Sequence, residues 1–232
     1  MAHSSTQSTS NTSTQPQQTG WPSVVNDYAG DQAVFTVSSN KAMMWLFLLS
    51  DIFVFGCFLV GYMSVRMTTT APWPLPTEVF ALTIAGQSIP LVLIAIMTFI
   101  LITSSGTMAM AVNFGYQRRK GLTAFFIILT ALFGLSFVGM QAFEWSKLIE
   151  EGFRPWGNEA GAAQFGASFF MITGFHGLHV SIGVLYLLII AWKVLRGTYD
   201  RSGNYENVEI AGLYWHFVDL VWVFIFAFFY LW

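Results

Sequence analysis

Charged residues are scarce in this sequence, and their scarcity argues against a water-soluble domain. Only 9% of the 232 residues are Asp, Glu, Lys or Arg, while 55% are hydrophobic; soluble domains carry about 25% charged residues. The net charge of −2 provides no basic surface for a nucleic-acid partner. The single cysteine, Cys57, cannot form an internal disulfide and lies in an apolar run. These shortages favour a membrane protein.

The first 40 residues lack a long aliphatic run and are rich in Ser, Thr, Gln and Asn. Such a segment buries too little apolar surface to fold alone, so we predict a flexible polar tail over residues 1–40. It also lacks the basic start and apolar centre of a cleavable signal peptide. We therefore expect the first transmembrane helix to direct insertion.

Long apolar runs fill the rest of the chain, residues 41–232. Five of them reach the roughly 20 residues that a helix needs to cross a bilayer, whereas barrel strands are shorter and alternate. We predict an all-α, polytopic membrane protein, a bundle of five transmembrane helices, with a kink at Pro90 inside the second. The predicted spans are 42–65, 79–107, 122–148, 165–195 and 208–232.

The distribution of basic residues between the loops predicts the orientation, because cytoplasmic loops are enriched in Lys and Arg. With the N-terminus cytoplasmic and the C-terminus periplasmic, most of the ten basic residues are cytoplasmic. The cytoplasmic set is Lys41, Arg118, Arg119, Lys120, Lys193, Arg196 and Arg201, and the opposite set is Arg66, Lys147 and Arg154.

Polar and ionisable residues inside the predicted spans are few, and each needs a partner in a bilayer. They include Asp51, Gln141, Glu144, His176, His179, His216 and Asp219. The three-residue spacing within the pairs His176/His179 and His216/Asp219 puts each pair on one helix face. We predict that the two pairs meet in one polar strip inside the bundle.

Two interpretations of these residues remain open from the pattern alone. Imidazoles from two helices could bind a metal or a haem, but no further histidine or cysteine motif completes a ligand set, so a hydrogen-bonded network is favoured. Asp51 could belong to a proton or ion relay, or could bond to a neighbouring helix or subunit. Glycines recur in the same helices and suggest close helix packing, notably Gly56, Gly61, Gly134, Gly139, Gly174, Gly177 and Gly183.

Several segments resemble subunit III of the haem-copper oxidases. Residues 169–180 read Phe-Phe-Met-Ile-Thr-Gly-Phe-His-Gly-Leu-His-Val, similar to a signature of that family. Residues 214–222, Tyr-Trp-His-Phe-Val-Asp-Leu-Val-Trp, resemble its final helix. Residues 141–145, Gln-Ala-Phe-Glu-Trp, and 103–105, Thr-Ser-Ser, resemble two further elements, the latter a serine-rich helix end. The resemblance covers about residues 41–232.

This resemblance implies a non-catalytic subunit of a proton-pumping oxidase in the bacterial inner membrane, with cytochrome c as electron donor. It implies no redox cofactor, metal or catalytic residue in this chain, haem and copper in partner subunits, and bound phospholipid. The implied partners are catalytic subunit I, subunit II and small subunits, with a larger respiratory supercomplex as a further possibility. By the same resemblance, the polar residues of the spans form helix contacts and lipid-headgroup contacts.

Two departures from the family pattern affect these expectations. Larger members have seven helices, and the five predicted here are similar to a shorter bacterial form. Asp51 follows Ser50 where many members have Glu, and an aspartate there is also similar to quinol oxidases. The close alternative is therefore a quinol oxidase subunit III, and an accessory protein of nitric oxide reduction is a second one within the family. The rivals from other classes are a stand-alone small transporter or channel and a haem-carrying cytochrome.

Overall fold

The computed structural model describes residues 38–75, 79–84, 87–158, 162–199 and 205–231. The chain divides into a unit of residues 1–42 and a unit of residues 43–232. Of the first unit, the structure describes only residues 38–42, so the predicted tail over 1–40 lies almost wholly outside the described residues.

In the part of the chain that the structure describes, five helices are long and apolar enough to cross a membrane, which confirms the predicted helical membrane architecture. Each begins within three residues of its predicted start except the second. The helices are α1 (Ser39–Thr68), α2 (Val92–Tyr116), α3 (Lys120–Glu150), α4 (Ala163–Leu195) and α5 (Glu206–Phe226).

Helices α2 to α5 form a closed arrangement in which each packs against two others. Helix α2 lies against α3, α3 against α4, α4 against α5, and α5 against α2. Large side chains from α5, including Trp215 and Trp222, are almost fully buried between these helices. More than half of the α5 span is buried, so this apolar helix lies mostly inside the protein rather than against lipid.

Helix α1 packs against the other helices through large side chains. The Phe55 ring lies 5.3 Å from that of Phe175 on α4, and the Phe58 ring lies 5.5 Å from the same ring. Tyr62 stacks 4.0 Å from Phe229, beyond the end of α5. Aromatic rings therefore hold α1 against the bundle, as expected from their large apolar area.

The second helix does not begin at residue 79 as predicted. An antiparallel hairpin precedes it, formed by β1 (Ala81–Ile84) and β2 (Gln87–Pro90), and the helix starts at Val92 and extends nine residues past the predicted end. Pro90 is the last residue of β2, so the predicted kink inside the helix is wrong. Hydropathy alone does not separate a short apolar strand from a helix, and a strand end tolerates proline.

Two further irregular segments connect or end the helices. A second short hairpin, β3 (Phe153–Arg154) with β4 (Gly157–Asn158), follows α3. Helix α5 continues as a π-helix over Ala227–Leu231, in which Phe229 and Tyr230 are buried. Insertions of this kind change the direction of side chains near a helix end.

Candidate functional site

The predicted polar residues occupy four separate places, so the single polar strip is wrong. His176 and His179 share a face of α4 by sequence spacing but bond to different helices, and neither contacts His216 through a described hydrogen bond.

Asp51 of α1 pairs with His179 of α4 in a buried contact. Asp51 Oδ2 lies 3.1 Å from His179 Nε2, and His179 Nδ1 lies 2.8 Å from the carbonyl oxygen of Phe175. A carbonyl oxygen only accepts, so Nδ1 carries a proton and donates it. The remaining ring nitrogen, Nε2, is the one that lies beside the carboxyl, although Oδ2 has no hydrogen bond of good geometry. The proximity of the two groups suits their position within the spans, where polar side chains need a polar neighbour.

His176 ties α4 to α5 through the backbone. Its Nε2 donates to the carbonyl oxygen of Val218 at 3.0 Å, and its ring lies against Phe137 and Trp222, with centroids 5.7 Å and 5.3 Å away. The side chain is almost fully buried. Since a backbone carbonyl and two aromatic rings surround it, His176 acts as a structural contact between helices.

Glu144 forms a buried network with Gln141 and Tyr230. Gln141 Nε2 donates to Glu144 Oε2 at 2.9 Å, and the Tyr230 hydroxyl lies 3.3 Å and 3.2 Å from Oε1 and Oε2. Tyr230 belongs to the π-helix, so this network fixes the end of α5 against α3. Sequence reasoning missed Tyr230, because it lies in an aromatic run with no periodic polar position.

Ser105, His216 and Asp219 form a cluster near the outer surface of α2 and α5. Ser105 Oγ lies 3.0 Å from His216 Nδ1, and Asp219 follows His216 by three residues on the same face of α5. His216 is exposed, whereas His176 and His179 are buried. The neighbouring Ser104 accepts from Trp215 Nε1 at 2.9 Å. The serine pair lies in the middle of α2, not at its end as the family resemblance implied.

Within the described ranges, no group of three or more His, Cys, Asp or Glu side chains lies close enough to hold a metal ion. The described hydrogen bonds instead join polar residues of neighbouring helices in twos and threes. This arrangement holds helices in register. It satisfies the polar groups only in part, because one atom in each place has no hydrogen-bond partner among the described residues: Asp51 Oδ2, Gln141 Oε1, His176 Nδ1 and Asp219 Oδ1.

An apolar cavity of about 360 Å³ lies between α1 and α5. Its walls contain no ionisable side chain, which suits a hydrocarbon chain rather than a polar ligand. The lining residues are Ile52, Phe55, Gly56 and Leu59 of α1, with Phe217, Leu220, Val221 and Phe224 of α5.

Comparison with known proteins places these features in a wider group. A family model described as cytochrome c oxidase subunit III matches residues 20–232. The chain is 34% identical over 188 residues to a protein of Staphylococcus aureus strain USA300 named probable quinol oxidase subunit 3, covering 81% of this chain and 86% of that protein. A Staphylococcus epidermidis protein of the same name is similar to the same extent.

Proposed function

Because the chain belongs to the cytochrome c oxidase subunit III family of the haem-copper oxidases, we propose that it stabilises the catalytic subunit without carrying a redox centre. The observation that supports this most directly is the use of its buried histidines. His176 bonds to a backbone carbonyl and His179 to a carbonyl and a carboxyl, so both serve helix contacts. Haem and copper then belong to partner subunits.

We further propose that the complex pumps protons and resides in a bacterial inner membrane. The N-terminus is cytoplasmic and the C-terminus periplasmic, as the asymmetry of basic residues favours. The partners are catalytic subunit I, subunit II and small subunits. The complex could in turn belong to a larger respiratory supercomplex.

Phospholipid binding is part of the proposal. The apolar cavity between α1 and α5 has room for part of an acyl chain, and apolar side chains line it throughout. A lipid there would fill space that α1 leaves open against α5. It would thereby add to the aromatic contacts that hold α1 against the bundle.

We propose cytochrome c as the electron donor. This proposal rests on the resemblance of residues 214–222 to the last helix of cytochrome c oxidases. Quinol is the second candidate. It is favoured by the names of the staphylococcal relatives, which are probable quinol oxidase subunits, and by the aspartate at position 51.

The test is to isolate the tagged chain from membranes in mild detergent and measure oxygen consumption with each donor. Respiration with reduced cytochrome c supports the first candidate, and respiration with quinol alone selects the second. Recovery of the chain without an oxidase would contradict both.

A further inference from the structure

A small cavity of about 10 Å³ lies between the start of α2 and the end of α3. Two ionisable side chains of α3, Glu144 and Lys147, form part of its wall. The other lining residues are Val79, Phe80, Leu93, Ile94 and Leu148. About 10–15 Å³ is enough space for one water molecule, which also needs two to four polar partners to remain there. The cavity is therefore a candidate site for a single bound water.

The cavity lies near one edge of the hydrocarbon core. Helix α3 has 31 residues and is about 46 Å long, so a centred α3 extends about 8 Å beyond each side of a core about 30 Å thick. Glu144 is six residues before the end of the helix at Glu150, which is about 9 Å. Although its side chain is buried, Glu144 thus lies close to the headgroup boundary, where water is available.

The carboxyl of Glu144 can accept more hydrogen bonds than its neighbours supply. Gln141 Nε2 donates to Oε2 at 2.9 Å, and the Tyr230 hydroxyl lies 3.2 Å from the same oxygen. A carboxylate has about four lone-pair positions, so room for a further donor remains. Lys147 is three residues further along the same helix face, and its Nζ lies 3.4 Å from Glu151 Oε1 near the surface. An ammonium has three donors, so a water between the two side chains could accept from Lys147 and donate to Glu144.

The start of α2 borders the same cavity and adds backbone donors. The first hydrogen bond of this helix runs from the Ala95 N–H to the carbonyl oxygen of Leu91 at 3.0 Å. The N–H groups of Leu93 and Ile94, which line the cavity, therefore have no partner inside the helix. The side chain of Leu91 does not cap this end. Since a helix N-terminus carries partial positive charge, it attracts the oxygen of a water molecule.

We propose that this cavity binds one water molecule, which accepts a hydrogen bond from Lys147 and donates one to Glu144. The water joins the buried network of Glu144, Gln141 and Tyr230 to the surface pair of Lys147 and Glu151. A hydrogen-bonded chain then runs from the π-helix to the surface of the bundle. An anion fits less well because the carboxyl would repel it, and a lipid chain is too large for the cavity.

Radiolytic labelling detects such a water directly. X-ray pulses convert water to hydroxyl radicals, which oxidise only the side chains beside them, and mass spectrometry locates the oxidation. Leu148 lines the cavity and Leu187 of α4 does not, yet each is only 1% exposed. In the full chain purified in mild detergent, we expect oxidation of Leu148 and none of Leu187. Equal oxidation of the two leucines would overturn the proposal.

Two pairs of variants separate a bound water from leakage of bulk solvent. Val79→Ile adds a methyl group to the cavity wall and should abolish oxidation of Leu148, whereas Val138→Ile, on a half-buried part of α3 outside the cavity, should not. Lys147→Met removes a donor and should lower this oxidation, whereas Lys193→Met, at the opposite end of the bundle, should not.

Unchanged oxidation of Leu148 in Val79→Ile would contradict the proposal. Oxidation that appears only after chloride is removed would also contradict it, because an anion would then occupy the cavity. If Val79→Ile is not recovered, the comparison of the two leucines in the unmodified chain still decides. The labelling requires no oxidase activity, so failure of the proposed function would leave this result unaffected.

Discussion

The carbonyl of Phe175 fixes the protonation of the buried pair between α1 and α4. It requires a proton on His179 Nδ1, which leaves Nε2 as the ring nitrogen 3.1 Å from Asp51 Oδ2. An apolar replacement of Asp51 would remove the polar neighbour of Nε2. The sequence identified both residues as polar groups within the spans, but not their partnership, because Asp51 and His179 are 128 positions apart in the chain.

Replacing Asp51 with alanine tests the role of this pair. We expect Asp51→Ala to leave assembly intact, because α1 is held mainly by aromatic contacts. The activity of the complex should nevertheless decay faster during turnover. The measurement is oxygen consumption over time at equal initial rate. Asp51→Asn, which retains a polar partner for His179, should decay more slowly than the alanine variant; identical time courses for all three proteins would refute this role.

Glu144 supports a second prediction at this scale. Glu144→Leu leaves the Tyr230 hydroxyl and the Gln141 amide without their shared acceptor, which should cost about 1–3 kcal/mol for each buried group. The thermal unfolding temperature of this chain within the purified complex should fall. Glu144→Gln has the same shape and retains an acceptor oxygen, so it should fall less. A leucine variant as stable as the wild type would show that the network contributes no stability.

At the scale of the helices, composition and run length predicted the number of spans and most of their bounds. The second span was misplaced because an apolar hairpin and an apolar helix follow each other without a polar break. The repeated glycines were also only partly predictive. Gly134, Gly174 and Gly183 lie close to aromatic side chains of other helices, whereas Gly56, Gly61, Gly139 and Gly177 have nothing within 4 Å of an added Cβ. Spacing alone cannot distinguish the two kinds.

Gly134 is the position where a methyl group would be least tolerated. A Cβ there would lie 2.4 Å from Trp215 Cη2 and 2.8 Å from Val184 Cγ2, so α3, α4 and α5 would have to separate. We expect Gly134→Ala to destabilise the chain by about 1–3 kcal/mol through overpacking. Gly139→Ala, in the same helix, should be neutral or slightly stabilising, since alanine favours helices. Thermal melting of the two variants distinguishes these outcomes, and equal melting temperatures would contradict the packing described here.

At the scale of the whole molecule, the orientation in the membrane predicted from the loop charges can be tested directly. We expect alkaline phosphatase fused after Trp232 to be active, because the enzyme folds only in the periplasm. The same enzyme fused after Gln117, in the basic connection between α2 and α3, should be inactive. The reverse pattern of activity would invert the predicted topology. Equal activity at both sites would contradict an odd number of membrane spans between Gln117 and Trp232.

The family could be predicted from short segments of the sequence, whereas the side of each helix that faces outward could not. Residues 169–180 and 214–222 carry the resemblance, yet they contain the inward-facing His176 and the outward-facing His216 alike. Which histidine faces outward depends on the rotation of each helix, which follows from how the helices pack against one another. Tyr230 lies in the π-helix that ends α5, where it reaches Glu144. The aromatic run around Tyr230 has no periodic pattern from which this π-helix could be predicted.

The central claim is that this chain joins an oxidase without binding its cofactors, and a two-step isolation tests it most directly. The tagged chain is purified in mild detergent, then separated from its partners in a stronger one, and a reduced-minus-oxidised spectrum is recorded at each step. We expect a haem spectrum for the complex and none for the separated chain. Haem retained by the separated chain would identify a cytochrome, and no haem at either step would identify a stand-alone membrane protein.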